Sequence, residues 1–320
     1  MTTALITGVS GQDGGYLAER LLAEGVSVHG LVRSAEDSAP VIASMPGLSL
    51  HVGDLNEVDS VTRLIRRLAP DEIYNLAGIS SVAQSWAEPI ATGRVSGLAA
   101  AGLLQAAWEF GESSGRQVRV VQASSAEIFG SPDISPQNES TPIAPITPYG
   151  AAKAYAHHMV KVYRSRGLFA VSAVLYNHES PRRPATFVTR KITQGVARIA
   201  QGKQTELRMG NLDAHRDWGW APDYVDAMIR AARHDEPDDY IVATGQSHSV
   251  RDFVAAAFAR AGIDDFDTYI RIDPAFVRPV DAVDLTGDAS RARHQLGWKP
   301  TVSFAELVGR MVDADLNRHP

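Results

Sequence analysis

Short runs of aliphatic and β-branched residues alternate with longer helical patterns through the first half of this 320-residue chain. We predict strands over residues 4–7, 26–32, 48–52, 72–76 and 118–123, and helices over 14–24, 57–68 and 92–110. Strands that alternate with helices of this length form βαβ units, whose parallel sheet is covered on both faces. Because such crossovers are right-handed, the pattern predicts a doubly wound, Rossmann-like α/β fold.

The second half of the chain has a more mixed pattern. A helix is expected after Pro148 and a buried strand over 169–176, followed by helices over 188–201, 222–233 and 250–261. No internal repeat or linker separates the halves. We therefore predict a Rossmann-like nucleotide-binding domain over 1–175, whose core also includes parts of 210–250. Residues 176–320 are expected to form mainly a smaller, mixed substrate-binding lobe that is interleaved with the first domain.

The composition excludes several classes of protein. The net charge of −6 argues against a nucleic-acid binder, which usually carries a basic excess. No apolar run reaches the roughly 18 residues of a membrane span, and the start of the chain lacks the basic stretch of a signal peptide. The absence of cysteine excludes disulfides and thiolate ligands, and no His/Asp/Glu cluster has metal-ligand spacing. We expect a cytoplasmic protein without a metal site.

The first predicted strand runs into a glycine-rich turn, and a helix follows. Gly8, Gly11 and Gly14 have the spacing GxxGxxG. Glycine suits a tight turn whose backbone approaches a pyrophosphate, which then lies at the helix N-terminus. The spacing alone also fits a purely structural turn. Its position between the first strand and the first helix of a βαβ unit favours a dinucleotide site.

The end of the second predicted strand bears on the choice of cofactor. An acidic residue there would bind the ribose hydroxyls of NAD, but this chain has Arg33 followed by Ser34. A guanidinium and a hydroxyl suit the 2′-phosphate of NADP through charge-assisted hydrogen bonds. The alternative is a solvated surface arginine. We predict NADP.

A tyrosine and a lysine are spaced to act together. Tyr149 and Lys153 lie four residues apart, so both project from one face if this segment is helical. A nearby ammonium stabilises the phenolate, which predicts a lowered pKa for Tyr149 and a role in proton transfer. This spacing is common by chance. It favours a catalytic pair here because a glycine turn typical of a dinucleotide site precedes it.

The strand predicted over 118–123 is followed by two further candidates. Ligands of parallel sheets bind beyond the carboxyl ends of the strands, which places Ser125 and Glu127 at the site. The hydroxyl suits a sugar alcohol, and the carboxylate suits removal of a carbon-bound acidic proton. The alternatives are that Ser124 only caps the next turn and that Glu127 is a helix-start charge.

Longer motifs resemble the GDP-mannose 4,6-dehydratases of the extended short-chain dehydrogenase/reductase family. They are Gly-Val-Ser-Gly-Gln-Asp-Gly-Gly at 8–15, Tyr-Gly-Ala-Ala-Lys at 149–153, Asn-His-Glu-Ser-Pro-Arg-Arg at 177–183 and Arg-Asp-Trp-Gly at 216–219. The likeness covers nearly the whole chain. It implies a homo-oligomer, a dimer or a tetramer. Two predicted helices, over 92–110 and after Pro148, have apolar faces that can pack against a twin subunit, but packing against the sheet explains most of that apolarity, so the expected dimer rests on the resemblance.

The resemblance implies a redox-neutral dehydration of a GDP-sugar, foremost GDP-mannose to GDP-4-keto-6-deoxymannose. Tyr149, supported by Ser125 and Lys153, would deprotonate the C4 hydroxyl while hydride passes to NADP. Glu127 would remove the C5 proton, water would leave from C6, and the hydride would return to C6. Ser125 stands where the family usually has threonine, and the hydroxyl role survives that change.

Matching by motif also assigns binding positions. The cofactor positions are Gly8, Ser10, Gly11, Gln12, Asp13, Gly14, Arg33, Asp54, Leu55, Leu76, Ala77, Ser80, Tyr149, Lys153, His178 and Arg183. The GDP-sugar positions are Asn177, Val188, Lys191, Arg216 and Arg278. The cationic members suit a diphosphate.

Some positions depart from the family pattern. Only one arginine follows the second strand, the segment 34–47 is short, and Ala91, Ile79 and Ser81 replace a tyrosine, a glutamine and a histidine. These changes leave open the exact sugar, the oligomer and the strictness for NADP. Two other functions stay open: a nucleotide-sugar 4-reductase or 4-epimerase, which needs no base at C5, and a catalytically silent NADP-binding regulatory protein, which needs no activated phenol.

Overall fold

The computed structural model describes residues 1–34, 36, 45–276 and 284–318. Their strands are β1 (Thr3–Thr7), β2 (Ser27–Val32), β3 (Ser49–Val52), β4 (Glu72–Asn75), β5 (Arg119–Ser125), β6 (Phe169–Leu175), β7 (Asn177–Glu179), β8 (Leu207–Met209), β9 (His215–Trp220), β10 (Asp239–Val242), β11 (Ser247–Ser249), β12 (Ile270–Ile272) and β13 (Asp284–Leu285). Their α-helices are α1 (Gln12–Ala23), α2 (Val58–Leu68), α3 (Val82–Ala87), α4 (Pro89–Thr92), α5 (Ala99–Ser114), α6 (Pro148–Arg164), α7 (Val188–Ala200), α8 (Ala221–Ala232), α9 (Val250–Arg260), α10 (Ser290–Leu296) and α11 (Phe304–Arg318). A π-helical segment, Gly93–Leu98, joins α4 to α5.

Seven strands form one parallel sheet with the order β10-β6-β5-β4-β1-β2-β3. The strand order reverses between β1 and β4, and ligands of such sheets bind outside the carboxyl ends of the strands at this point. The predicted doubly wound fold is confirmed. The strands predicted within this sheet from the first half and over 169–176 end within two residues of the observed ones.

Helices cover both faces of this sheet. On one face α1 and α8 bury Leu17, Leu21 and Met228, and on the other α2, α5 and α6 bury side chains such as Leu104 and Val160. Burial of each such side chain stabilises the fold by about 1.5–3 kcal/mol. Because both faces are covered, only the edges and the strand ends are left for ligands.

A second assembly, here called the smaller lobe, packs against the carboxyl ends of these strands. In it β9 pairs with β7, β11 and β13, and β8 pairs with β12. Helices α7, α9 and α11 form a separate apolar cluster with these strands, centred on side chains such as Trp218 and Phe253. The pairing of β7 with β9 joins this lobe to the chain that has just left β6.

The chain returns from the smaller lobe to the first core. β10 pairs with β6 in the seven-stranded sheet, within the 210–250 range predicted to return. Residues 289–298 also pack against the first core, which was not predicted. There Trp298 packs edge-on against Tyr224, with ring centroids 6.0 Å apart, and its Nε1 donates to Asp223 O at 2.7 Å. The division at residues 175 and 176 stays a prediction. Of the described helices, none has the length and apolarity needed to cross a bilayer.

Candidate active site

The glycine turn is built from close backbone approaches. Gly8 has φ +72°, and a Cβ there would lie 2.9 Å from the backbone N of Ala77. A Cβ at Gly14 would lie 2.3 Å from the carbonyl O of Gly8. These obstacles are backbone atoms, so both positions require glycine. The turn therefore contacts the segment after β4, where Leu76 and Ala77 are predicted to line the cofactor.

The N-terminus of α1 is open. The helix begins at Gln12, two residues before the predicted start, because the turn passes directly into the helix. Its N-cap residue, Gly11, supplies no side-chain hydrogen bond to the first turn, and Ser10 and Gly11 are exposed. Uncapped N–H groups and the helix dipole together attract an anion.

Side chains at the start of α1 reach across to β7 and the residue after it. Gln12 Nε2 donates to His178 O at 3.1 Å, and Ser180 Oγ donates to Gln12 Oε1 at 2.7 Å. His178 Nε2 donates to Asp13 Oδ2 at 2.8 Å. These three bonds, here called the turn–β7 clasp, fix the glycine turn to the smaller lobe.

The clasp contains a buried ion pair. His178 Nδ1 donates to Tyr176 O at 2.7 Å while Nε2 donates to Asp13, so the ring carries both protons. Burial opposes the charge of His178, but attraction to Asp13 outweighs it and raises the pKa of His178. Burial likewise opposes the charge of Asp13, and attraction to His178 outweighs it and lowers the pKa of that carboxyl. Tyr224 stacks on the His178 ring at 4.6 Å.

A third charged group lies beside the clasp. Arg183 Nε lies 3.2 Å from Glu179 Oε2, and its guanidinium lies 3.7 Å from the Phe187 ring centroid. The positive charge of Arg183 favours the ionised forms of both Asp13 and Tyr149, although at Tyr149 burial outweighs it and raises the pKa. The structure therefore brings two predicted cofactor residues, Asp13 and Arg183, close to the predicted catalytic tyrosine.

The start of α6 carries the tyrosine and the lysine. Thr147 Oγ1 accepts from Gly150 N at 2.9 Å, and Pro148 takes the first helical position, so the helix start is well defined. Tyr149 and Lys153 are both buried on this helix, as their spacing predicts. A Cβ at Gly150 would lie 2.5 Å from Glu127 O, so glycine lets α6 approach the end of β5.

The end of β5 carries the hydroxyl and the carboxylate. β5 ends at Ser125, and a 3₁₀ turn, Ala126–Phe129, follows. Ser125 Oγ accepts from Glu127 N at 3.3 Å, so Ser125 caps this turn and the alternative that assigned the cap to Ser124 is wrong. The Ser125 hydroxyl also hydrogen-bonds the Tyr149 phenol, and the charge of Glu127 acts on that phenol.

The pKa of Tyr149 shifts opposite to the prediction. Burial raises it to about 12; the hydrogen bond from Ser125 acts in the other direction, and Glu127 adds to the rise. Lys153 gives the phenol little help, because its Nζ donates to Ala123 O at 2.8 Å and lies 5.9 Å from the Tyr149 ring centroid. Burial lowers the pKa of Lys153 to about 8, so it stays largely protonated at neutral pH.

The predicted cofactor positions that follow β2, β3 and β4 lie at the same edge of the sheet. Arg33 follows β2 and is exposed. Asp54 follows β3, where its Oδ1 accepts from Asn56 N at 2.9 Å, and the side chain of Leu55 is buried. Ser80 is exposed beyond β4. The carboxyl ends of β2, β3 and β4 therefore bring these predicted positions to one side.

The predicted GDP-sugar positions lie in the smaller lobe. Asn177 begins β7, Val188 and Lys191 lie in the first turn of α7, and Arg216 is buried on β9. Thr189 Oγ1 donates to Glu179 Oε2 at 2.7 Å and ties the start of α7 to β7. Arg278 lies outside the described residues.

Sequence reasoning missed the residues that hold the site together. Thr147 and Gly150 position α6, and the side-chain bonds of Gln12 and Asp13 to His178 join two distant motifs. A Thr-Pro pair ahead of a helix is a local capping signal that predicts the first feature. No local signal predicts the clasp, since its partners are 165 or more residues apart.

Known proteins match the chain over nearly its whole length. A family model described as GDP-mannose 4,6 dehydratase matches residues 5–311. GDP-mannose 4,6 dehydratase 1 of Arabidopsis thaliana is 44% identical over 98% of this chain and 89% of its own length. GDP-mannose 4,6 dehydratase of Homo sapiens is 41% identical over 98% of this chain and 91% of its own length.

Solved structures share the fold. UDP-glucose 4-epimerase of Thermus thermophilus, in complex with NAD, has a TM-score of 0.85 and 27% identity over 98% of this chain and 99% of that one. RMD of Pseudomonas aeruginosa, complexed with NADPH, has a TM-score of 0.81 and 24% identity over 99% of this chain and 100% of that one. The resemblance drawn from the motifs is confirmed, and the chain belongs to the GDP-mannose 4,6-dehydratase family.

Proposed function

We propose that this protein catalyses the redox-neutral conversion of GDP-mannose to GDP-4-keto-6-deoxymannose, with NADP as its cofactor. The observation that carries the proposal is a carboxylate beside a hydroxyl and a phenol: Glu127 follows Ser125 by two residues, and its charge acts on Tyr149. Reduction or 4-epimerisation of a nucleotide sugar needs no base at C5. Dehydration needs one, which favours this reaction over its rivals on the same fold.

The residues present fit a dinucleotide cofactor. The turn around Gly8 and Gly14 leaves no room for a Cβ, as a backbone that approaches a pyrophosphate requires, and the N-terminus of α1 is uncapped. Lys153, Tyr149 and the clasp would hold the nicotinamide half of the cofactor. When bound, the cofactor supplies the acceptor and donor of hydride and a cationic ring that favours the phenolate.

The first step belongs to Tyr149. Its phenolate oxygen takes the proton of the C4 hydroxyl, and the Ser125 hydroxyl, already bonded to that phenol, steadies the oxygen as the charge moves. Because burial raises the pKa of Tyr149 to about 12, the phenol must first release its own proton to solvent before it can accept the C4 proton, and a positive charge beside it lowers the cost of that release. Lys153 keeps a positive charge next to this centre.

The second step belongs to Glu127. The 4-ketone acidifies the C5 proton, which the carboxylate of Glu127 accepts. The same carboxyl then protonates the hydroxyl that leaves C6 as water, so Glu127 returns to its starting state. C6 then receives the hydride taken from C4, and the Tyr149 phenol returns its proton to C5. The product differs from the substrate by one water: C4 has been oxidised by two electrons to a ketone and C6 reduced by two electrons to a methyl group.

NADP rather than NAD is the finer part of the proposal. Arg33 supports it, since it is exposed at the carboxyl end of β2, where a 2′-phosphate needs a cation. Comparing NADP and NAD affinities before and after Arg33→Ala tests the assignment, with Arg66→Ala, at an exposed position of α2, as a matched control. We expect a preference for NADP that only Arg33→Ala removes; equal affinities in the unmodified protein would contradict it.

A homodimer is also part of the proposal. Leu98, Tyr155 and Val162 on the π-helical segment and α6 are 58%, 43% and 48% exposed, and α6 packs beside the α4–α5 helix. Apolar side chains on two adjacent helices suit contact with a second copy of the chain. A cytoplasmic location stays a prediction from the composition.

The reaction is tested by incubating the purified protein with GDP-mannose. We expect a product lighter by one water that develops the alkaline absorbance of a 4-keto sugar. UDP-glucose and dTDP-glucose serve as parallel substrates. Turnover of one of these with none of GDP-mannose would contradict the substrate, and a 4-epimer without loss of water would contradict the reaction. Tight cofactor binding without any turnover would favour the regulatory protein.

A further inference from the structure

An exposed aromatic ring lies against the predicted diphosphate-binding lysine. The ammonium of Lys191 lies 3.2 Å from the ring centroid of Phe276, whose side chain is 50% exposed. Lys191 lies one turn into α7, and the start of that helix is tied to β7 by the bond from Thr189 to Glu179. The Lys191–Phe276 pair is therefore connected to the same strand that carries the clasp.

The backbone holds Phe276 closely in place. It ends a 3₁₀ turn, Pro274–Phe276, that directly follows the β8–β12 pair. Asp273 N donates to Met209 O at 2.8 Å, and Asp273 Oδ1 accepts from Ala275 N at 3.0 Å. A Cβ at Gly210 would lie 2.4 Å from the carbonyl O of Phe276, so glycine is needed for the chain to pass this close. A half-exposed apolar ring that lies against an ammonium calls for an explanation.

The environment of Lys191 explains what the ring does. Burial lowers the pKa of Lys191, and the carboxylate of Asp273 acts in the opposite direction. A cation over the face of an aromatic ring is attracted by the ring quadrupole, and the attraction strengthens as the cation loses water. The ring thus stabilises the charged form and restricts a side chain that otherwise has four rotatable bonds.

We propose that Phe276 is a positioning residue for Lys191, which it holds as a preoriented ammonium for the diphosphate of a nucleoside diphosphate sugar. This inference rests on the proposed function only in assigning Lys191 to the substrate. The ring acts through the lysine rather than by stacking on the base. Removal of the ring should therefore weaken the binding of any nucleoside diphosphate, whichever base the nucleotide carries.

The test measures binding of GDP, UDP and guanosine to the cofactor-loaded protein by calorimetry and competition. Phe276→Leu removes the ring but keeps an apolar side chain, Phe276→Tyr keeps the ring, and Ile272→Leu is a control on exposed β12. We expect Phe276→Leu to weaken GDP and UDP binding by roughly 3- to 30-fold, with guanosine unaffected. Phe276→Tyr and Ile272→Leu should bind as the unmodified protein does.

A second variant separates positioning from a structural role. In a Lys191→Met background, Phe276→Leu should have no further effect on GDP binding, because the group it positions is gone. Equal losses for GDP and guanosine, a loss that persists in the Lys191→Met background, unchanged GDP binding in Phe276→Leu, or no diphosphate binding by the unmodified protein would each overturn the proposal. If GDP-mannose is not turned over but this binding pattern is observed, only the proposed reaction is contradicted.

Discussion

The carboxyl edge of the seven-stranded sheet and the smaller lobe place their functional side chains by different means. At the sheet edge, Gly14 and Thr147 act on a neighbour in a turn or at a helix start, and Gly150 lets the start of α6 approach the end of β5. In the smaller lobe, Lys191 depends on Phe276, 85 residues further along the chain. Residues that shape the backbone of a turn or a helix start can be recognised from the local sequence, whereas a contact between side chains far apart in the chain cannot.

The two regions also differ in what a substitution should do. A change at the sheet edge removes the chemistry or the cofactor site, since the groups there are close together and buried. A change in the smaller lobe should alter affinity, since its groups bind rather than react. Substitutions in each region therefore test this difference.

The largest effect is expected for Glu127→Gln. An amide cannot accept the C5 proton, so dehydration of GDP-mannose should fall by about 10²- to 10⁴-fold while cofactor affinity changes little. Product formation is followed by the absorbance of the 4-keto sugar, and cofactor binding by calorimetry. Glu112→Gln, at an exposed position of α5, is the matched control. Undiminished dehydration would remove Glu127 from the mechanism.

Gly14→Ala comes next. The added Cβ would meet Gly8 O at 2.3 Å, so the turn must open, at a cost of about 1–3 kcal/mol in the free energy of unfolding and with loss of cofactor affinity. Gly93→Ala is the control, because a Cβ there meets nothing within 4 Å. Denaturant unfolding and cofactor titration measure both effects. If Gly14→Ala retained the stability and affinity of Gly93→Ala, the close-approach account of the turn would be wrong.

The clasp between the two regions should respond to pH. The raised pKa of His178 contributes stability that is full below its unfolded value of 6.5 and is lost as pH rises through the folded value. The lowered pKa of Asp13 contributes stability that is full above 3.8 and is lost as pH falls through the folded value. Asp13→Asn should reduce the loss of stability at both low and high pH, which is measured as the unfolding midpoint at a series of pH values. An unchanged pH profile in this variant would argue against the ion pair.

The smallest effects compare two buried tyrosines. Tyr176 Oη donates to Gln137 Oε1 at 2.9 Å, so Tyr176→Phe should cost about 0.5–1.5 kcal/mol of unfolding free energy. The hydroxyl of Tyr224 has no hydrogen-bond partner within the described part of the chain, so Tyr224→Phe should be neutral or slightly stabilising. Chemical denaturation ranks the two. A larger loss for Tyr224→Phe would show that its hydroxyl does more than these contacts indicate.

Much of the sheet edge could be predicted from the sequence. Strand and helix periodicity placed the parallel sheet, and the glycine spacing and the Tyr149–Lys153 interval depend on neighbours within one element. The pKa of Tyr149 could not be predicted in this way. Its direction depends on how deeply the phenol is buried and on where Lys153 donates its hydrogen bond, and both are set by packing against β5.

The smaller lobe resisted prediction for a related reason. Its strands are two to six residues long, too short to show a period, and β9 pairs with three strands from different parts of the chain. The Asp13–His178 and Lys191–Phe276 contacts join motifs whose separation carries no signal. The motif resemblance named most of the participants but not these pairings.

The proposed mechanism requires that hydride leave C4 and return to C6 of the same sugar. GDP-mannose carrying deuterium at C4 is incubated with the protein, and the product is analysed by NMR and mass spectrometry. We expect the deuterium to be retained and found at C6, with solvent hydrogen at C5. Loss of the deuterium to solvent or to the free cofactor pool, or its return to C4, would contradict it.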